Sequence, residues 1–223
     1  MAIVKNSCAL ITIDVQNDFT LKGSPAEIPG TTEVVPNIVK LLTDFRRTNS
    51  PIVHVVRLYL SDGSNVDLCR REKIRSGLSL VRPETDGAEL VAELKPSPEI
   101  RLHSKQLLNG DVQQIAPNEF VIYKPRWGAF YDTGLEKLLQ TLKVDSLIFC
   151  GCNFPNCPRT SIYEASERDF HVALAGDAVS GLYDKGKQEL EKIGVSVVST
   201  DKLIESLSQG VLEFSTHARE RVS

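Results

Sequence analysis

The sequence predicts an α/β fold: a six-stranded, mostly parallel sheet flanked by helices on both faces. Three observations carry this. Apolar runs of strand length alternate with segments whose apolar residues recur at helical spacing, most regularly after Glu119. Strands alternating with helices imply parallel pairing through right-handed crossovers, with both sheet faces covered. Finally, 223 residues suffice for one large α/β domain and would be cramped for two. Together they describe a Rossmann-like three-layer sandwich, expected as a single domain over residues 1–223.

Residues 7–13 read as a buried strand ending at Asp14. From residue 33 to about 48, Val35, Ile38, Val39, Leu42 and Phe45 recur at helical spacing, and residues 51–58 form the next strand-like run, completing a β-α-β opening. Residues 61–117 are the least regular part, with Gly63, Gly77, Gly87 and four prolines; only residues 88–94 read as helical, and the segment is expected to be lid or interface material. Beyond it come strand 120–123, helix 135–142, strand 146–151, helix 158–168, strand 171–176, helix 185–193, strand 195–199 and helix 202–207. No internal repeat or interdomain linker is visible.

Composition narrows the function classes. A hydrophobic share of 41% with 25% charged residues is that of a globular chain, and a net charge of -3 without a basic block argues against a nucleic-acid or anionic-membrane partner. The longest apolar stretches are strand-sized, far short of the roughly 18 residues of a membrane span. No charged n-region precedes an apolar h-region, so a cytoplasmic location is expected. Five cysteines, three of them within residues 150–157, suggest a metal site, a reactive thiol or buried packing rather than a disulfide framework.

In such sheets ligands sit beyond the carboxyl ends of the strands. Three strand ends offer reactive groups: Asp14, Lys124, and Cys157 in the loop after strand 146–151. Singly each has an ordinary reading, as a turn carboxylate, a solvated amine and a buried thiol. Their convergence on one sheet edge is what points to chemistry. Pro158 fits the first position of a helix, which makes Cys157 its expected N-cap and, through the helix field, a thiol of lowered pKa. Free N–H groups at the same helix start can hold the oxyanion of an acyl-transfer intermediate. None of His54, His103, His171 and His217 follows a strand end, so Asp14 is the better candidate base, with Lys124 either holding it charged or stabilising negative charge in the transition state. Two alternatives stay open. Cys150, Cys152 and Cys157 could bind a metal, although their spacing is not that of C-x2-C pairs, or Cys152 could serve as redox partner to Cys157.

Residues 14–19 (DVQNDF), residues 124–130 (KPRWGAF) with Thr133 and Leu135, residues 151–157 (GCNFPNC) and residues 177–180 (DAVS) resemble, in order and spacing, the isochorismatase-like cysteine hydrolases. The resemblance spans about residues 7–200. It implies a catalytic set of Asp14 as general base, Lys124 as its partner and Cys157 as acylated nucleophile. It further implies an oxyanion hole formed by the N–H groups of Asn153 and Cys157, with a cis peptide between Cys152 and Asn153, and association as a dimer or tetramer. Gln16 and Phe19 are expected beside the base, Trp127 and Phe154 as pocket walls, and Arg57 as a clamp for a substrate carboxylate. Nicotinamidase-like members carry an Asp-x-His metal motif after the second strand; residues 57–63 have none, so no catalytic metal and no cofactor are expected. True isochorismatases lack the cysteine nucleophile that is kept here. A small amide, ureido or carbamoyl substrate is therefore favoured, as in the N-carbamoylsarcosine and ureidoacrylate amidohydrolases. A thiol-redox protein or a noncatalytic small-molecule-binding member of the same fold is the alternative.

Overall fold

Strands buried at every position pair in the middle of the sheet. β1 (Cys8–Ile13) runs parallel to β5 (Ser146–Gly151), with Cys8 opposite Ser146 and Ile13 opposite Gly151. β2 (Ile52–Val56), also buried throughout, lies on the other side of β1. Full burial on both faces explains why these runs are apolar without alternation. A computed structural model describes residues 7–210, so His217 lies outside the described residues.

β3 (Gln113–Ala116) and β4 (Glu119–Tyr123) extend the sheet beyond β2, and β6 (His171–Val179) and β7 (Ser196–Val198) extend it beyond β5, giving the order β3-β4-β2-β1-β5-β6-β7. Every pairing is parallel except β3 with β4. Among the described residues the sheet thus has seven strands, not six. The additional strand is a polar edge strand turning into β4 through Asn118 at φ 53°. Its QQIA sequence has neither a buried run nor a clear alternation, which is why the periodicity misses it.

One face is covered by α2 (Thr31–Arg47) and α8 (Thr200–Gln209), whose Ile38, Leu41, Phe45 and Leu203 pack on Leu10, Ile148 and Ala173. The other is covered by α5 (Leu135–Thr141), α6 (Cys157–Ser166) and α7 (Asp184–Lys192), which bring Leu139, Ile162 and Leu190 against Ile11, Phe149 and Leu174. Among the described residues no helix is long and apolar enough to cross a membrane.

The segment 61–117 is more ordered than its glycines and prolines suggest. It contains α3 (Leu68–Arg75) and α4 (Ser104–Leu108), and buries Val66, Ile74, Leu80, Leu90 and Leu107 in a third apolar cluster with Val56, Leu58 and Phe19 of the main body. The helix expected at 88–94 is instead two 3-10 turns, Asp86–Ala88 and Ala92–Leu94, around an extended stretch. There Leu90 bridges Gln16, and the Val91 N–H donates to the Val15 carbonyl at 3.2 Å. Pairing to the chain after β1 outweighs local helical spacing. A short helix, α1 (Asn17–Thr20), follows directly.

A buried polar chain ties the elements together. Thr12 Oγ1 bonds His54 Nδ1 at 2.8 Å, His54 Nε2 bonds Glu119 Oε1 at 2.9 Å, and Arg46 donates to both Glu119 oxygens at 2.7 and 2.9 Å. Burial pushes the Glu119 carboxyl up, but the donors Arg46 and His54 outweigh it and hold the group at about 2. A pKa below the unfolded value of about 4.5 adds stability that is complete above pH 4.5 and is lost as pH falls toward 2, roughly 3 kcal/mol in all. Urea unfolding at pH 6 and pH 2.5 should therefore show Glu119→Gln losing less stability on acidification than the parent. Equal losses would contradict the depressed carboxyl.

Gly151, at the end of β5, has φ 114°, and an added Cβ would lie 2.3 Å from the Ile13 carbonyl oxygen. Backbone cannot yield cheaply there. Gly151→Ala is expected to cost at least ~3 kcal/mol in urea unfolding; a midpoint within error of the parent would show that the β1–β5 approach is not tight.

Candidate active site

Parallel strands deliver their carboxyl ends to one edge, and three of them bring reactive side chains. Asp14 follows β1 with φ 54°, its N–H donating to Val55 at 2.9 Å. Lys124 follows β4, its N–H donating to Val56 at 3.0 Å. Between β5 and α6, residues 152–156 are held by Cys152 N–H to Ile13 (2.9 Å) and Phe154 N–H to Ser180 (2.8 Å). The Cys152–Asn153 peptide is cis. α6 begins at Cys157 itself, so Asn156 takes the N-cap place expected for Cys157 and the thiol stands on the first helical residue.

The three side chains are removed from water: Asp14 is 4% exposed, Lys124 0% and Cys157 6%. Lys124 Nζ donates to Asp14 Oδ2 at 2.8 Å and to the Arg126 carbonyl at 3.3 Å. Asp14 Oδ1 is buried and has no hydrogen-bond partner among the described residues. Burial raises the Cys157 thiol above its ordinary value and the Asp14 charge adds to that, against Lys124 and Arg57, which pull it down. This reverses the lowered pKa expected from the helix start. A thiol raised in this way needs a base to become a nucleophile. Neither the Asn153 nor the Cys157 N–H donates to another protein group among the described residues.

Asp14, Cys157, Asn153, Phe19, Arg57 and Arg70 are among the walls of a cavity of about 20 Å³, room for little more than a water. Arg57 is one of these walls. It is 1% exposed, and its Nη2 donates toward Cys157 Sγ at 3.7 Å, so the guanidinium stands beside the sulfur.

Three of the other side chains expected around a substrate lie elsewhere. Gln16 is wholly buried and its amide is spent on backbone, donating to the carbonyls of Arg57 (2.8 Å) and Ala88 (2.6 Å) and accepting from the Arg57 N–H (2.7 Å). Phe154 is a core residue, edge-on to Tyr183 with centroids 5.5 Å apart. Trp127 packs on the apolar cluster under α6, with Arg70 5.9 Å over its ring. Both aromatics fill space beside the site rather than line the cavity.

Asp67, a residue the sequence does not single out, is buried, and its Oδ2 accepts from Arg57 (3.0 Å), Tyr59 Oη (2.9 Å) and Arg70 (3.2 Å). Only its place ten residues after Arg57, in a segment without readable periodicity, hinted at the pairing. Among the described residues no group of three or more His, Cys, Asp or Glu side chains could hold a metal ion.

The isochorismatase domain model matches residues 8–111 and 110–202. A probable inactive nicotinamidase of Arabidopsis thaliana is 29% identical over 206 residues, covering 90% of this chain and 96% of that protein. An N-carbamoylsarcosine amidase of an Arthrobacter species is 26% identical, covering 91% of this chain and 72% of that one. The crystal structure of an isochorismatase family protein from Desulfovibrio vulgaris superimposes with a TM-score of 0.78 at 32% identity, covering 91% and 98% of the two chains.

The Gln16 brace generates an expectation about stability. Gln16→Met keeps the volume but leaves an N–H and two carbonyls buried without partners, so urea unfolding should show a loss of about 2–4 kcal/mol. A loss under ~0.5 kcal/mol would mean that the amide does not hold Arg57.

Proposed function

The chain belongs to the isochorismatase family, and from that membership we propose that it is a cysteine-dependent hydrolase of the C–N bond in a small amide, ureido or carbamoyl compound. The observation that carries this reading is that Asp14, bound by buried Lys124, and Cys157 stand on the wall of one cavity. The amidase among its relatives supports the substrate class.

In this reading Asp14 accepts the Cys157 proton and the sulfur attacks the substrate carbonyl. The developing oxyanion is held by the N–H groups of Asn153 and Cys157, which are free to donate. The C–N bond breaks, and the amine or ammonia leaves with the proton carried by Asp14. Water then gives a proton to Asp14 and attacks the thioester, releasing the acid or carbamate and restoring the thiol. Lys124 keeps Asp14 charged between the two half-reactions. None of these steps calls on a cofactor. Phe19 contributes an apolar wall and Arg57 a cationic one. Gln16 acts through Arg57, and Trp127 and Phe154 support the loops. The proposal covers the single domain as a cytoplasmic homo-oligomer, dimer or tetramer, with a small-molecule substrate and neither nucleic acid nor membrane as partner.

The test is ammonia release over a panel of small amides, ureides and carbamoyl compounds, with intact-mass detection of an acyl adduct. Cys157→Ala, Asp14→Asn and Lys124→Ala should each lose at least ~100-fold in turnover while remaining folded. Near-parental turnover in Cys157→Ala would overturn nucleophilic catalysis. A Cys152–Cys157 disulfide with function retained in Asp14→Asn would point to thiol-redox chemistry instead.

A further inference from the structure

We propose that the Arg57 guanidinium, in contact with the Cys157 sulfur, is the counter-cation of the Cys157 thiolate and thus a catalytic residue beyond Asp14, Lys124 and Cys157. The inference deepens the hydrolase reading and rests on Cys157 being its nucleophile.

Three cations lie near the sulfur, but they are differently engaged: Arg70 Nη1 donates to Asp67 Oδ2 at 3.2 Å and to Tyr59 Oη at 3.4 Å. The Lys124 ammonium is taken up by Asp14 Oδ2 at 2.8 Å and the Arg126 carbonyl at 3.3 Å. Arg57 Nη2, in contrast, donates to Sγ itself at 3.7 Å. The fork is fixed from several sides: Nη1 donates to Asp67 Oδ2 (3.0 Å) and the Pro125 carbonyl (3.2 Å), while Gln16 grips the main chain of the same residue on both its N–H and its carbonyl. A guanidinium so held, 1% exposed, cannot turn to water for a better acceptor.

A neutral thiol is a weak acceptor, whereas a thiolate is a charged one. The contact therefore strengthens when sulfur ionises, which is the condition for an interaction to favour a step rather than merely the resting state. In that step the S–H bond breaks, its electron pair stays on sulfur, and the proton passes to the Asp14 carboxylate. Negative charge leaves the group that faces Lys124 and arrives on the atom that faces Arg57. In direct contact, Lys124 holds the Asp14 side of the transfer and Arg57 the sulfur side.

The groups facing the thiol come from every surrounding element: Asp14 after β1, Arg57 and Tyr59 after β2, Asp67 and Arg70 at α3, Lys124 after β4 and Cys152 in the loop before α6. Burial and Asp14 raise the thiol, while Lys124 and Arg57 lower it.

The experiment reads the midpoint of the pH–rate curve for iodoacetamide alkylation, mapped to Cys157 by mass in a Cys69→Ser background that removes the exposed thiol. In Arg57→Met the midpoint should rise by about one unit or more, a ten-fold loss of thiolate at neutral pH. Arg57→Gln should give the same rise and decides the matter if Arg57→Met fails to fold. The double variant Arg57→Met with Asp67→Asn removes one cation and one anion together, so a general charge effect cancels while a lost sulfur contact does not. Its midpoint should stay about half a unit or more above the parent. An unchanged midpoint in a folded single variant, or a return to the parental value in the double, would overturn the proposal. Because no substrate is used, the two readings fail separately: a raised midpoint with no ammonia released from any compound retires the hydrolase alone, and an unchanged midpoint in an active enzyme retires the role of Arg57 alone.

Discussion

Lys124 and Asp14 form an ion pair at 2.8 Å with almost no access to water, and the rest of the site is arranged around that cost. Taking two charges out of water is expensive, and an apolar pair of similar volume would serve stability as well or better. The sheet supplies what makes the pair tolerable. Asp14 and Lys124 leave β1 and β4 on either side of β2, and both main chains are pinned to β2 through Val55 and Val56. The two side chains are therefore directed at one another by strand pairing rather than by a flexible loop. Removing either would strand the other charge in the interior. A structure that spends its sheet edge in this way gains no stability from it, which fits a chemical use for the carboxylate.

The strand ends were legible in the sequence because a parallel sheet makes them so. Apolar runs mark β1, β2, β4, β5 and the start of β6, and the residues following them fall on one edge whatever lies between. Asp14, Lys124 and Cys157 needed no more than that. Less could be read where burial and polarity do not alternate. β3 carries two glutamines and pairs only at the sheet border. Residues 88–94 have helical spacing, but the partner that overrides it is the chain around Gln16, remote in sequence. Asp67 looks like any loop carboxylate until Arg57, Tyr59 and Arg70 are seen to converge on its Oδ2. Side-chain convergence of this kind leaves no period in the chain.

The direction of the Cys157 pKa was the other illegible quantity, and for a related reason. A helix start and a following proline are local features and argue for a stabilised thiolate. Burial and the Asp14 charge are nonlocal and win. The consequence reaches the mechanism. A cysteine held as thiolate would need no base for its first step, whereas a cysteine held as thiol beside Asp14 makes proton transfer part of the proposed reaction.

In the proposed reaction that distinction gives a use to each of the charges crowded at the site. With the proton on sulfur, Asp14 is matched by Lys124 and Asp67 by Arg57, with Arg70 adding one positive charge at the more exposed rim. With the proton on Asp14, the negative charge has moved to Cys157 and meets the Arg57 Nη2 that already points at the sulfur, while Nη1 remains on Asp67. Neither protonation state leaves a buried anion without a cation, so the transfer needs little rearrangement of the surrounding groups. Preorganised charge acts in this way because the cost of orienting it is met during folding rather than at the moment of reaction. The buried Asp67 and the Gln16 brace belong to that earlier cost, although neither needs to approach a substrate.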